Sequence, residues 1–299
     1  MTLIGSARVE GQTFSPLATP GVLVGLIGAG IQLSRSPRMH EAEAAAQGFR
    51  LVYRLIDLEV LGLGAEALPN LLAAAQDAGY AGLNITYPCK QAVIPLLDDL
   101  SEDARALSAV NTVVFRNGQR IGYNTDWWGF AKSFRRGLPD VPLGRVVQLG
   151  AGGAGSAVAH ALLTLGVKHL MIVDTDDLKA QALSQSLAQR FGADRVAALP
   201  DATTALAQAN GLVNTTPVGM AKHPGLPLPA ELLTRAQWVS DVVYFPLETE
   251  LLRAARLLGC RTLDGSGMAI FQAVEAFRLF TGRQSDPSRM TAAFAAPGA

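Results

Sequence analysis

The sequence is short of cysteine. Two thiols, Cys89 and Cys260, stand in 299 residues, too few for a disulfide framework and in keeping with a reducing cytoplasm. It is also short of net charge: 25 lysines and arginines are matched by 25 acidic residues. No basic face announces a nucleic acid, and nothing draws the chain to an acidic membrane surface. Four histidines occur, His40, His160, His169 and His223. They share no ligand spacing with one another or with the cysteines, so no metal site is read. The opening stretch MTLIGSARVEGQTFSPLATPG has no charged region followed by an apolar one, and no signal peptide is read in it. One uncharged run, Val146–Val167, has membrane-spanning length. Its glycines Gly150, Gly152, Gly153 and Gly155 crowd one end, and Gln148, Ser156 and His160 interrupt it, which a strand, a tight turn and a helix explain better than a span.

What is present is apolar bulk. Hydrophobic residues make up 49% and charged ones 17%, enough for a sizeable core in one large or two ordinary domains. Short β-rich runs alternate with helical stretches, which predicts an α/β fold with mostly parallel sheets. In the first part LVGLI (23–27), LVYRLI (51–56), AGLNI (81–85) and NTVVF (111–115) read as strands, and NGQR (117–120) as a hairpin-like turn. Residues 37–48 and 65–79 are alanine-rich and helical. Between Asn124 and Pro142 the chain crosses into a second unit. There RVVQLG (145–150), HLMIVD (169–174), RVAAL (195–199), GLVNT (211–215) and WVSDVV (238–243) read as strands with helices between, and residues 265–281 as a long helix.

Two glycine-rich turns look alike. A dinucleotide site needs a strand that ends in a tight turn, a backbone bare enough to approach a pyrophosphate, a helix that starts at once, and an acidic residue closing the next strand for the ribose hydroxyls. The second turn meets every condition: Gly150, Gly152, Gly153, Ala154 and Gly155 follow the strand 145–149, a helix follows directly, and the next strand ends at Asp174. The first, with Gly25, Gly28 and Gly30, has the wrong spacing and runs into a loop. Asp57 is read as out of register for it. That turn instead presents Ser34 and Ser36 before a helix, a place suited to a carboxylate or polyol. Ser36 also reads as an N-cap with Pro37 first in the helix; Ser34 has no such structural use. A carboxylate at Asp174 binds ribose hydroxyls and repels a 2′-phosphate, which favours NAD over NADP. Lys179 is the nearby cation.

Three further clusters carry polar chemistry: Asn84, Thr86 and Lys90 at a strand end, Asn111 in SAVNT, and Asn124, Thr125 and Asp126 in GYNTDWWGF. Hydride transfer from an alcohol carbon leaves a hydroxyl proton to be removed, and a lysine beside a carboxylate can take it. Singly, Lys90 reads as a solvated lysine and Asp126 as a helix cap; their density beside a cofactor turn favours chemistry. Cys89 beside Lys90 reads as a buried, inert thiol.

With these residues in view the chain resembles the shikimate/quinate dehydrogenase family from about Leu23 to Gly282. The motifs that carry the resemblance are Ser34–His40, Asn84–Lys90, Ala109–Thr112, Asn124–Phe130, the Gly150 turn, Asn214–Met220 and Gly267–Ala273. The resemblance implies two domains: an α/β substrate domain of residues 1–124 and 265–299, to which the C-terminal helices return, and a Rossmann-type NAD-binding domain of residues 125–264. It implies that Ser34 and Ser36 hold a substrate carboxylate, that Thr86, Asn111 and Gln272 hold ring hydroxyls, and that Tyr244 lines the carboxylate end. Lys90 and Asp126 become the catalytic pair at a C3 hydroxyl, and Thr216, Val243, Gly265 and Met268 fall near the cofactor. Asp174-Thr175-Asp176 stands where NADP-using members carry Asn-Arg-Thr, so the NAD-using quinate/shikimate branch is the nearer match. Leu33 replaces the histidine common before the first serine. The expected activity is reversible NAD-dependent oxidation of quinate or shikimate to the 3-dehydro acid by a cytoplasmic enzyme, acting on a small molecule and neither nucleic acid nor membrane, with room left for a homodimer. The alternatives are an NADP-dependent biosynthetic enzyme, an aminoshikimate-pathway dehydrogenase, and a sensor that binds NAD and a ring acid without turnover.

Overall fold

Val22–Gly28 (β1) is apolar at nearly every position, as a strand covered on both faces requires, and its last five residues are buried. The computed structural model describes residues 21–296; the stretch searched for a signal peptide lies outside them. Ser36–Ala46 (α1) leads from β1 to Leu51–Asp57 (β2), and Leu58–Leu61 (α2) and Leu68–Asp77 (α3) lead on to Gly82–Ile85 (β3). β1 pairs in parallel with both β2 and β3. A helical turn, Cys89–Ala92 (α4), a two-residue strand, Asp99–Leu100 (β4), and Glu102–Leu107 (α5) follow. Thr112–Arg116 (β5) and Gln119–Tyr123 (β6) then form a hairpin through Asn117 and Gly118, both at positive φ, the conformation an Asn-Gly turn supplies.

The first sheet therefore runs β2-β1-β3-β5-β6-β4. It is mostly parallel, as expected, with β5 antiparallel to β3 and to β6; the two-residue turn at Asn117 and Gly118 can only join β5 to an antiparallel neighbour.

The second unit alternates strictly. Asp126–Gly137 (α6) precedes Arg145–Leu149 (β7), Gly153–Leu165 (α7), His169–Val173 (β8), Asp177–Phe191 (α8), Val196–Ala198 (β9), Thr203–Leu206 (α9) and Gly211–Asn214 (β10). Trp238–Asp241 (β11), Glu250–Leu257 (α10) and Arg261–Leu263 (β12) complete it. All pairings are parallel, and the order β12-β11-β10-β7-β8-β9 reverses direction between β7 and β10. Such a reversal opens a crevice at the carboxyl ends of those two strands, where α/β folds bind ligands.

Ser266–Thr281 (α11) and Pro287–Ala295 (α12) return to the first sheet. Phe277 and Phe280 of α11 and Met290 and Phe294 of α12 pack with Met39 of α1 on Val24, Leu26 and Tyr53. Leu68, Leu72 and Cys89 cover the opposite face. The second sheet is likewise sandwiched, with Phe130, Leu162 and Leu187 on one side and Leu206, Leu251 and Leu252 on the other. α12 is capped by Asp286, whose carboxylate accepts from Ser288 N at 2.7 Å. It is tied to α1 by Arg289, which donates to buried Glu43 at 2.7 and 2.8 Å. No helix among the described residues is long and apolar enough to cross a membrane; the run Val146–Val167 divides into β7, the glycine turn and α7.

Candidate active site

Lys90 and Asp126 lie 36 residues apart in the chain, and Lys90 Nζ donates to Asp126 Oδ2 at 2.6 Å. Their side chains are 21% and 10% exposed. Lys90 sits in α4, directly after the carboxyl end of β3, and Asp126 is the first residue of α6, where the helix N-terminus favours a negative charge. Asp126 does not cap its helix. Asn124 does so: its Oδ1 accepts from Asp126 N at 3.1 Å and Trp127 N at 3.5 Å. Both Asp126 oxygens are thus left to side chains, Oδ2 to Lys90 and Oδ1 to Asn111 Nδ2 at 2.9 Å. Cys89 is buried, and burial pushes its thiol pKa up, as an inert core thiol requires.

The two glycine turns share a device and differ in its extent. Asp57, the last residue of β2, pairs in register with Gly28. That corrects the reading that it is out of register, since sequence spacing does not fix strand pairing. Its carboxylate accepts from Gly30 N at 2.9 Å, Ile31 N at 3.0 Å, Gln32 Nε2 at 2.9 Å and Glu59 N at 3.1 Å. Burial pushes the Asp57 pKa up, and these donors more than offset it, holding the group below its ordinary value. The amides of the first turn are therefore taken. Asp174 makes only one such bond to the second turn, from Ala151 N at 2.6 Å, and a second to Asp176 N at 2.9 Å. α7 starts without a side-chain cap, so its first amides stay open.

The second turn also has the room an anion needs. Gly150 takes φ +98°, and a Cβ there would meet Thr215 Oγ1 at 2.7 Å; a Cβ on Gly155 would press into the Gly150 carbonyl. A Cβ on Gly152 would meet nothing within 4 Å. The residues present fit a dinucleotide, since a bare backbone at Gly152 and an uncapped helix start are what a pyrophosphate needs. A Cβ on Gly153 would lie 3.8 Å from Lys90 Cδ, so the turn faces the Lys90–Asp126 pair across the cleft. Lys179 Nζ lies 3.3 Å from Asp176 Oδ2.

In the loop after the first turn neither serine has the capping role read for Ser36 from sequence. Ser36 is not the cap: α1 begins at Ser36 with Arg35 preceding it, and no side chain caps it. Ser34 Oγ instead accepts from Ser36 N at 3.3 Å. Thr86 follows β3, its N–H on Ile27 O at 2.9 Å. Gln272 stands on α11 where it crosses α6 at Gly129: a Cβ on Gly129 would meet Gln272 N at 2.7 Å, one turn from Asp126. Tyr244 is 43% exposed, and its ring centroid lies 6.2 Å from that of Phe294. Desolvation raises its phenol pKa, with the Lys90 ammonium pulling the other way, so it stands within electrostatic reach of the pair. Arg35, between the serines, donates to Phe294 O at 2.8 Å and lies over the Phe294 ring.

On the cofactor side Thr216 Oγ1 donates to Asn214 Oδ1 at 2.7 Å, and Val243 N donates to Asp241 Oδ1 at 3.0 Å. A Cβ on Gly265 would clash with the Val242 carbonyl, and Met268 packs at the edge of the α6–α7 core. Sequence reading passed over Asp241. Burial pushes its pKa up to about 6, while Val243 N–H, Thr249 and Asn214 donate to it. It also passed over Gln148, which donates to the Gly150 and Gly155 carbonyls at 2.9 Å each. Among the described residues no group of three or more His, Cys, Asp or Glu could hold a metal ion.

Residues 26–113 match the family described as the shikimate dehydrogenase substrate binding domain, and residues 134–241 match the ThiF family. A protein of Streptomyces avermitilis named shikimate dehydrogenase (NADP(+)) is 62% identical over 272 residues, covering 90% of this chain and 94% of that protein. One of Corynebacterium efficiens named quinate/shikimate dehydrogenase (NAD(+)) is 52% identical over 276 residues, 91% of this chain and 97% of that protein. Among solved structures, quinate dehydrogenase from Corynebacterium glutamicum in complex with NAD superposes with a TM-score of 0.87 at 51% identity, covering 92% of this chain and 98% of that one.

Proposed function

The chain belongs to the shikimate/quinate dehydrogenase family, and on that premise we propose that it oxidises quinate and shikimate reversibly at the C3 hydroxyl, using NAD, in the cytoplasm. Membership makes it an oxidoreductase of a CH–OH group that works with a nicotinamide nucleotide. The observation that carries the finer reading is the Lys90–Asp126 pair at 2.6 Å, facing the Gly153 turn. When bound, the nicotinamide takes the hydride.

In this reading the protein's own groups do the rest. Ser34 and Ser36 hold the ring carboxylate, with Tyr244 over that end. Thr86, Asn111 and Gln272 hold ring hydroxyls. Lys90, held by Asp126, takes the C3 hydroxyl proton as the carbonyl forms and returns it in the reverse direction. Residues 1–124 and 265–299 form the substrate domain and 125–264 the dinucleotide domain, with Gly150, Gly152, Gly153, Ala154 and Gly155 under the pyrophosphate and Thr216, Val243, Gly265 and Met268 along the nicotinamide. Asp174 supports NAD, because a carboxylate closing the second strand accepts from ribose hydroxyls and repels a 2′-phosphate. Lys179, the cation that could answer such a phosphate, is paired with Asp176.

A second reading, NADP-dependent and biosynthetic, draws on the name of the 62% identical relative. Initial rates with NAD⁺ and NADP⁺, each against quinate and shikimate at one pH, separate the two. Preference for NAD⁺ with both acids turned over is expected; clear preference for NADP⁺ removes the NAD reading. Lys90→Ala is expected to cut kcat far more than it weakens ring-acid binding, and turnover within a few-fold of wild type would remove the role given to the pair.

A further inference from the structure

Behind the site runs a chain of buried polar groups, of which Tyr53, Asn84 and Thr112 have none of the roles above. The Tyr53 hydroxyl donates to Asn84 Oδ1 at 2.8 Å. Asn84 Nδ2 donates to Thr112 Oγ1 at 3.0 Å and to the Asn111 carbonyl at 3.3 Å. The Thr112 hydroxyl donates to Asn111 Oδ1 at 3.1 Å, and Asn111 Nδ2 donates to Asp126 Oδ1 at 2.9 Å. Thr112 is wholly buried, and Asn84 and Asn111 nearly so.

Chemistry fixes the direction of the amides. The Thr125 N–H can only donate, and it lies 2.7 Å from Asn111 Oδ1, so the amide oxygen faces that N–H and the amide nitrogen faces the Asp126 carboxylate and the Thr125 hydroxyl, at 2.9 Å each. The Asn111 carbonyl can only accept, so the Asn84 nitrogen points to it and to Thr112. Thr112, having accepted there, has one proton, and Asn111 Oδ1 at 3.1 Å is a nearer acceptor for it than Thr125 Oγ1 at 3.5 Å. The hydroxyl thus supplies a second donor to the same oxygen. A reversed Asn111 amide would set N–H against N–H there and oxygen against carboxylate at Asp126. Buried networks of this kind specify one arrangement only while every member is satisfied.

We propose that Thr112 is a positioning residue of the reaction: its hydroxyl locks the Asn111 amide with its nitrogen on Asp126, and so holds the carboxylate in the orientation that leaves Oδ2 to Lys90. The inference rests on Lys90 and Asp126 being the reacting pair. It extends the machinery to a side chain inside the first sheet that touches neither cleft nor substrate.

The test is single-turnover hydride transfer from shikimate, followed by formation of reduced nucleotide with whichever cofactor the wild-type enzyme prefers, together with the shikimate dissociation constant. Thr112→Val keeps the shape and removes the hydroxyl. The transfer rate is expected to fall at least tenfold while shikimate binding stays within twofold, and Thr112→Ser is expected to restore the rate to within threefold of wild type. In an Asn111→Ala background Thr112→Val is expected to add nothing, since its effect passes through Asn111. A Thr112→Val enzyme that folds and transfers hydride within twofold of wild type overturns the proposal, as do equal losses in the two backgrounds. Should Thr112→Val not fold, Thr112→Cys, a weaker donor, must show the same split, and an unchanged rate there is equally decisive. A fully active Lys90→Ala enzyme would instead remove the reading beneath it, so the two failures are told apart.

Discussion

His40→Leu tests how the substrate domain answers acid. His40 is fully buried on α1, neither ring nitrogen has a hydrogen-bond partner, and its ring lies 5.0 Å from Tyr53, 5.8 Å from Phe277 and 6.0 Å from Phe280. Burial lowers its pKa to about 3, against an ordinary value of 6.5. Between those values the unfolded chain binds a proton that the folded one refuses, so the stability tied to a neutral His40 is whole above pH 6.5 and drains away as pH falls toward 3. At about 1.4 kcal/mol per pH unit, the loss is about 2 kcal/mol at pH 5 and about 5 kcal/mol at the end of the window. His160, lowered to about 4 by burial, acts with the same sign and is present in both proteins, so it cancels. Leucine cannot titrate and leaves no bond unmade. At pH 7 the variant is expected within about 1 kcal/mol of wild type. Urea unfolding at pH 7 and pH 5 should show wild type losing about 2 kcal/mol more than the variant on acidification. Equal losses would refute the reasoning. So would a deficit above about 3 kcal/mol at pH 7, which would mean that the imidazole is hydrogen-bonded in solution.

Asp174→Asn removes the charge that, in the proposed reading, meets the adenine ribose. Like charges about 5 Å apart are worth about 1–3 kcal/mol at effective dielectric constants of 20–80, so the NADP⁺/NAD⁺ ratio of kcat/KM should rise about five- to 150-fold, and a ratio unchanged within threefold would exclude Asp174 as the discriminator. Gly155→Ala drives a Cβ against the Gly150 carbonyl and to 2.9 Å from Thr215 Oγ1; isothermal titration should show nucleotide binding weakened more than tenfold with shikimate binding unchanged. Asn124→Ala strips the cap from α6 and leaves the Ala109 carbonyl, which Asn124 Nδ2 meets at 3.0 Å, without that donor. A loss of about 1–2 kcal/mol in urea unfolding is expected, with kcat falling because Asp126 starts the same helix.

Much of this was legible where one local rule decides. The 145–149 strand, the glycine turn and the Asp174 strand end stand together because a phosphate-binding turn is a local motif whose parts are near in sequence. Lys90 and Asp126 were picked as a pair by their chemistry, and the structure sets them 2.6 Å apart. What escaped depends on register. Asp57 reaches the first turn only because β2 pairs with β1 at Gly28, a fact no spacing rule contains. The cap of α1 was read at Ser36, yet the helix starts there with no side-chain cap; at α6 the first amide is met by Asn124, two residues upstream of Asp126. α12 went unread because its buried stripe is only Met290 and Phe294, too brief for a periodic pattern, though Asp286-Pro287 is an ordinary helix start. β4, two residues long, has no pattern of its own.

The chain carries the same bend twice, each closed by an aspartate from the neighbouring strand. In one copy the carboxylate fills the concavity and becomes, in effect, its permanent tenant. In the other it meets a single amide and leaves the rest of the bend bare. What separates the two bends is therefore how far each is filled from within and not glycine content. The filled bend can carry side chains such as Ser34 and Ser36 on its outer surface, while the open one tolerates no Cβ at Gly150 or Gly155. Two turns that read alike in sequence are set apart by the reach of the aspartate behind each.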